Sequence, residues 1–112
     1  MRLLDSEDFR GNPRFRWKLL PSTSPAERAF EPRNYWRGPV WPIIDWLLWQ
    51  SLSQLGYSGR ADQLRGDSLS EIAAGQFGEY FEPFTGEPLG SAQQSWTAAV
   101  TLDWLASGPG QP

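Results

Sequence analysis

The chain contains no cysteine and no histidine. These absences exclude disulfide staples, thiol nucleophiles, Ser-His-Asp relays and zinc sites built on sulfur or imidazole, so acid or base chemistry falls to Asp and Glu. Positive charge is also scarce: ten Lys and Arg stand against thirteen Asp and Glu, a net charge of -3. The basic residues are scattered singly, and without a basic stripe to neutralise phosphates nucleic acid is not an expected partner. No apolar run approaches the roughly 18 residues of a membrane-spanning helix. The opening Met1-Arg2-Leu3-Leu4-Asp5-Ser6-Glu7-Asp8 turns acidic too early for the apolar region of a signal peptide. The expectation is a cytoplasmic protein with no membrane and no nucleic-acid partner.

What is present is a chain rich in rings and turns. Its 112 residues make at most one domain, which would bury roughly 60% or more of its unfolded surface if it folded alone. Seven tryptophans argue against disorder, and eleven glycines with ten prolines stay below the level of a low-complexity chain. No internal repeat is visible. Before Asn34, the residues Gly11, Pro13, Pro21, Pro25 and Pro32 are too closely spaced for a long regular element. Phe15, Trp17 and Leu19 alternate there with Arg14, Arg16 and Lys18, a two-residue rhythm that predicts a short extended segment with one buried face.

Helical patterns begin at Pro42, a residue well placed for a first turn. Ile43, Ile44, Leu47, Leu48, Leu52 and Leu55 recur at three- and four-residue steps, which predicts a helix from Pro42 to Leu55 stopped by Gly56. Trp46 and Trp49 widen its apolar face over most of the circumference, the pattern of a helix buried between others. Few other helices are available here, so its packing partners are expected outside the sequence. A second helix, from Gly59 to Ala74, reads as an ordinary amphipathic surface helix. Ala61, Leu64, Leu69, Ile72 and Ala73 are expected inward and Arg60, Asp62, Arg65 and Glu71 outward. Gly66 weakens its middle by about 1 kcal/mol relative to alanine, and Gly75 marks the stop. A third helix, with Ser95 as N-cap, is expected to reach Ala106 with Trp96, Ala99, Val100 and Trp104 near one face. The fold class is all-α: helical hairpins joined by long aromatic loops, residues 1–106 as one unit and 107–112 as a tail disordered by composition.

Two loops concentrate the chemistry. Asn34-Tyr35-Trp36-Arg37-Gly38-Pro39-Val40-Trp41-Pro42 holds three large rings within seven residues. Gly78-Glu79-Tyr80-Phe81-Glu82-Pro83-Phe84-Thr85-Gly86-Glu87-Pro88-Leu89-Gly90 puts three carboxylates, three rings, two prolines and three glycines into thirteen residues. Such a stretch has too many breakers for a helix and too much ring surface for an ordinary linker. It reads as a sugar-binding active-site loop, with Gly86 and Gly90 at turn positions of positive φ.

These two loops, followed by Gln94-Ser95-Trp96-Thr97-Ala98-Ala99, resemble the C-terminal end of glycoside hydrolase family 63 over roughly residues 20–106. Within that family the likeness is greatest to bacterial mannosylglycerate and glucosylglycerate hydrolases. The resemblance implies that the chain is the C-terminal fragment of an (α/α)6 toroid, a six-hairpin glycosidase fold, with the remainder of the catalytic domain upstream. It also implies inverting hydrolysis of a small α-glycoside such as glucosylglycerate or mannosylglycerate, with no metal and no organic cofactor. A trehalase-like or oligosaccharide α-glucosidase specificity is the alternative among enzymes. A non-catalytic carbohydrate-binding fragment is the alternative of another class.

By the same resemblance, Glu79 is the general base that activates water on the face of the sugar opposite the leaving group. The proton donor is an aspartate about 6.5 to 9.5 Å away across the site. None of Asp5, Asp8, Asp45, Asp62, Asp67 and Asp103 sits in the matching motif, so the acid lies outside this chain and the fragment alone is expected to be inactive. Tyr35, Trp36 and Trp41 match positions lining the sugar and glycerate pockets, and Gln94 matches a position that holds the substrate through an amide able to donate and accept. Each has a structural alternative. Trp41 adjoins a buried helix and is equally a core residue; Trp46, Trp49, Trp96 and Trp104 are expected in the core; Glu82 and Glu87 are expected on the loop surface. Arg37 is expected to pair with a structural carboxylate rather than clamp a glycerate.

Overall fold

A computed structural model of the protein describes residues 1–108. Trp41 is extended (φ -115°, ψ 114°), and the fixed φ of Pro42 starts helix α1, Pro42–Gln54. Gly56 ends it at φ 89° as the Tyr57 N–H reaches back to the Leu52 carbonyl at 2.8 Å. Helix α2, Ser58–Gly75, folds back on α1. Helix α3, Ser95–Ser107, packs across both. Between α2 and α3 the strands β1 (Tyr80–Phe81) and β2 (Pro88–Leu89) form a two-residue antiparallel ladder, Tyr80 opposite Leu89. Val40 joins the far side of β1 through two bonds with Phe81, each 2.8 Å. The core lies where these pieces meet, with Trp49, Leu64, Phe81 and Trp104 almost fully enclosed. No helix among the described residues is long and apolar enough to cross a membrane.

The segment before Asn34 follows the expected rhythm of burial without becoming a strand. Phe15 and Leu19 are buried and Trp17 is half-buried, while Arg14, Arg16 and Lys18 are exposed. One backbone bond, from the Arg16 N–H to the Pro83 carbonyl at 2.9 Å, ties it to the β1–β2 loop. The buried Arg10 guanidinium pins the same segment to α2, donating to the Lys18 carbonyl (3.0 Å) and pairing with Asp5 (3.4 Å) and Asp67 (3.6 Å).

Several helix details differ from expectation. Gln94, not Ser95, occupies the N-cap of α3, and Ser95 is its first helical residue. Gly75 remains helical and the positive φ that ends α2 falls on Gln76 (φ 61°, ψ -147°). The glycine is needed for another reason: a Cβ at Gly75 would run into the Phe81 ring. Glu71 is buried and Ala73 exposed, because the inner stripe of α2 runs Leu64, Ser68, Glu71, Ile72 at helical spacing and Ala73 falls outside it. Trp96, expected in the core, is 53% exposed where it lines a groove with Ile43 and Trp46 of α1, and Ala99, expected on the same inner face, is exposed as well. Helix α3 takes in Ser107, and positions 109–112 of the expected tail lie outside the described residues.

Candidate active site

The Val40–Phe81 bridge brings the two aromatic loops together and leaves Trp41 and Tyr80 side by side. Their rings stack at 4.8 Å and 20°, and Trp36 covers the other face of Trp41 at 3.7 Å and 13°. Tyr35 stands edge-on to all three rings, between 4.7 and 5.5 Å away. Tyr35 reaches that place by adopting φ 42°, and its carbonyl accepts the Trp41 indole N–H at 2.9 Å. A non-glycine residue held in that region is strained, and such strain persists only where the surroundings fix it. Trp41 is only 2% exposed, with both ring faces occupied, so it acts as the support of the wall. Tyr35 and Trp36 remain nearly half exposed and offer ring surface to a ligand. A groove of about 510 Å3, lined by Glu31, Pro32, Arg33, Asn34, Tyr35 and Tyr80, opens against this wall.

Glu79 precedes Tyr80, and the N-terminal end of α3 holds it in place. The Gln94 N–H donates to the Phe77 carbonyl at 2.9 Å, and the buried Thr97 hydroxyl donates to the Gly78 carbonyl at 2.7 Å. The Glu79 N–H donates to the Ser91 carbonyl at 3.0 Å, and the Ser91 N–H donates to Glu79 Oε1, also at 3.0 Å. Ties at three successive residues thus follow the strained Gln76. One carboxylate oxygen is fixed by a backbone donor, which orients the group. Opposite it, Gly90 (φ 70°) is the only kind of residue that fits, since a Cβ there would collide with Glu79 Oε1 and the Tyr80 ring. Gly86, at φ 77°, closes the other turn of the loop as expected.

The structure therefore brings Tyr35, Trp36 and Trp41 together, sets Glu79 beside them through Tyr80, and places the Gln94 backbone against Phe77, two residues before Glu79. Sequence reasoning assigned no role to Tyr80, Ser91 or Thr97, although Tyr80 and Thr97 lie inside the quoted motifs. Tyr80 completes the stack, while Ser91 and Thr97 act through their bonds to Glu79 and Gly78. The surface expectation fails for Glu82, which is 6% exposed with Oε1 accepting the Phe84 N–H at 2.7 Å; the carboxylate caps the tight turn of its own loop. Glu87 is exposed and pairs with Arg33. Arg37 donates to the Ala29 carbonyl (2.9 Å) and pairs with Glu31 (3.2 Å), a structural role.

Three carboxyls away from this wall titrate abnormally. Burial pushes Asp45 and Glu71 well above the usual carboxylate range; Arg10 partly offsets the effect at Asp45, whereas Asp45 itself adds to it at Glu71. Asp67, half enclosed, is raised by burial and lowered in part by Arg10 and Lys18. Among the described residues no group of three or more Asp and Glu is placed to hold a metal ion.

Comparison with known proteins bears on this geometry. Residues 1–97 match the profile described as the mannosylglycerate hydrolase MGH1-like glycoside hydrolase domain. The chain is 53% identical over 105 residues to a glucosylglycerate hydrolase of Mycolicibacterium hassiacum, covering 94% of this chain and 24% of the relative. It is 38% identical over 102 residues to a mannosylglycerate hydrolase of Thermus thermophilus, covering 91% and 24%. A crystal structure of the GH63 mannosylglycerate hydrolase from Thermus thermophilus in complex with Tris and D-glycerate superposes with a TM-score of 0.80 at 38% identity, over 92% of this chain and 25% of that one. The chain thus spans about a quarter of the length of the curated relatives it matches.

Proposed function

This chain belongs to the mannosylglycerate hydrolase MGH1-like glycoside hydrolase family, and on that premise we propose that it supplies the general-base wall of an inverting glycosidase. Glu79 takes the proton of a water molecule as that water attacks the anomeric carbon. The leaving oxygen receives its proton from a carboxylic acid on the opposite wall, which belongs to the remainder of the toroid. Tyr35 and Trp36 offer ring faces to the pyranose, Trp41 and Tyr80 back them, and the Gln94 amide bonds a sugar hydroxyl. Residues 1–106 act as one part of a catalytic domain, in the cytoplasm, with no metal and no organic cofactor in the reaction.

The observation that carries this reading is the immobilised carboxylate of Glu79. Ser91 holds one oxygen and the ties to Gln94 and Thr97 hold the backbone, so the second oxygen is presented in a fixed direction beside an aromatic wall. A general base contributes only when it is positioned within hydrogen-bond reach of the proton it removes. The substrate is a glycerate glycoside. Glucosylglycerate comes first, because the relative that is 53% identical is named for it and the mannosylglycerate hydrolase of Thermus thermophilus is 38% identical.

The test joins this chain to the part of the fold that it lacks. The chain is grafted in place of the matching quarter of the Mycolicibacterium hassiacum enzyme, and the first-formed anomer is followed by proton NMR during hydrolysis of glucosylglycerate. The β-anomer of glucose is expected from the α-glycoside, and the ungrafted chain is expected to hydrolyse none. Initial formation of the α-anomer would contradict the inverting assignment.

A further inference from the structure

A charged cavity of about 470 Å3 opens between the N-terminal segment and α2, lined by Asp5, Arg10, Lys18, Arg60, Gln63 and Asp67. The loop that forms one of its walls is closed on itself. The Arg10 N–H donates to the Leu4 carbonyl at 3.0 Å, and the Gly11 N–H donates to the Ser6 carbonyl at 2.8 Å. Gly11, which also borders the cavity, permits this closure, since a Cβ there would run into the backbone carbonyls of Asp5 and Ser6. The loop thereby carries the buried Arg10 guanidinium to the cavity. Its Nε donates to the Lys18 carbonyl at 3.0 Å, but Nη1 stands 3.4 Å from Asp5 and Nη2 stands 3.6 Å from Asp67. Charge-assisted bonds run at about 2.7–2.9 Å, so both terminal nitrogens are held loosely and keep donor capacity for a further acceptor.

The charges around the cavity select its ligand. Three cations and two carboxylates line it, an excess of one positive charge. Asp5 is shared, since Arg60 Nη1 pairs with it at 2.6 Å while Arg10 approaches the same oxygen. Lys18 makes no ion pair among the described residues and acts on Asp67 only at longer range. Burial disfavours charge on Asp45 and Glu71, which sense Asp67, so neither cancels the excess. The Gln63 amide can donate and accept, and the Asp67 carboxylate can accept from a hydroxyl. We propose that this cavity binds a hydroxylated monocarboxylate of the sugar-acid class, its carboxylate between Lys18, Arg60 and Arg10 and its hydroxyls on Gln63 and Asp67. One negative charge meets the excess, whereas a phosphate bringing close to two is repelled by Asp5 and Asp67. The volume suits a six-carbon acid. The cavity shares no residue with the aromatic wall or with Glu79, so the proposal stands whether or not Glu79 is the base.

The test titrates the 112-residue chain with sodium D-gluconate, followed by proton–nitrogen NMR. Saturable shifts are expected at the Gly11, Lys18 and Gln63 amides, with a dissociation constant of roughly a millimolar. Glucose, which lacks the charge, is expected to leave these peaks in place, and inorganic phosphate is expected to bind more weakly than gluconate. Lys18→Met and Gln63→Glu, both at exposed positions, should keep the circular dichroism of the chain. Each should weaken gluconate binding roughly tenfold, the first by removing a charged donor and the second by cancelling the excess charge. Trp36→Ala, on the aromatic wall, should leave that binding unchanged. Absence of saturable shifts overturns the proposal, as does affinity that ignores both cavity variants or is lost in Trp36→Ala alone. Phosphate binding as tight as that of gluconate overturns the choice of a monoanion. The same Lys18 dependence is expected in the grafted enzyme, and its absence there would mean that the rest of the catalytic domain fills the cavity, which also overturns the proposal. None of these readouts involves turnover, so they stand apart from the assignment of Glu79.

Discussion

Helices α2 and α3 lie in the same small protein and meet water in different ways. Helix α2 buries Leu64 and Ile72 and engages its charged residues with neighbours, the half-buried Arg65 donating to the Trp104 carbonyl at 2.7 Å and Arg60 pairing with Asp5 at 2.6 Å. Helix α3 buries Val100 and Trp104 but also presents Trp96, Leu102 and Leu105, with Asp103 as its single charge. The contrast separates a helix whose charged side chains are engaged by neighbouring segments from one that leaves large apolar side chains in water. The candidate site adjoins the second of these, since the N-terminal turn of α3 holds the backbone just before Glu79 through Gln94 and Thr97.

The largest effects that test this contrast come from matched leucines. In urea unfolding of the isolated chain, Leu64→Ala on α2 is expected to cost about 2–5 kcal/mol, as for other enclosed leucines, whereas Leu102→Ala on α3 should stay within about 0.5 kcal/mol. Comparable losses at the two positions would mean that α3 is covered in the free chain.

The buried carboxyls sharpen the comparison from the other side, because α2 is not wholly conventional. For an acid whose folded pKa is raised, the protonated form is favoured by folding. Its contribution is therefore intact below the unfolded value, 4.5 for Glu71, and is lost as the pH climbs from there through the raised folded value. Asp45 behaves alike from 3.8 upward. Stability is expected to fall between weakly acidic and neutral pH, and Glu71→Gln should raise neutral-pH stability and flatten that slope in a pH series of thermal melts. A slope unchanged in the variant would show that Glu71 ionises freely.

The smallest expected difference lies between two glycines of α2. Gly66 is exposed with open space about it, so Gly66→Ala should stabilise by about 0.5–1 kcal/mol. Gly75→Ala should destabilise instead, because the added methyl meets the Phe81 ring. Opposite signs in calorimetry support the distinction between a propensity defect and a packing requirement.

The helices were legible because their signals are local. Pro42, Gly56 and the three- and four-residue steps of Ile43, Leu48 and Leu52 fix α1 without reference to anything distant. The apolar circumference of α1 and the positive φ of Gly86 and Gly90 were legible for the same reason. The site was legible in its membership but not in its construction. The Trp36–Trp41–Tyr80 stack depends on a bridge between Val40 and Phe81, forty-one positions apart, which no local pattern announces. The burial of Glu71 and Glu82 was missed because composition places glutamate outside, whereas helical phase and a tight turn placed these two inside. Trp96 was assigned to the core from its four-residue spacing to Val100 and Trp104; the spacing holds, but in the first turn of α3 the ring lines a groove with Ile43 and Trp46 and stays 53% exposed.

The central claim, that this chain carries the water-activating base, is tested most directly by Glu79→Gln in the grafted full-length enzyme, with kcat and substrate affinity measured separately. A fall in kcat of about 10²–10⁴ is expected, with binding of glucosylglycerate largely unchanged. A variant that keeps its turnover while losing affinity would assign Glu79 to substrate binding and contradict the claim.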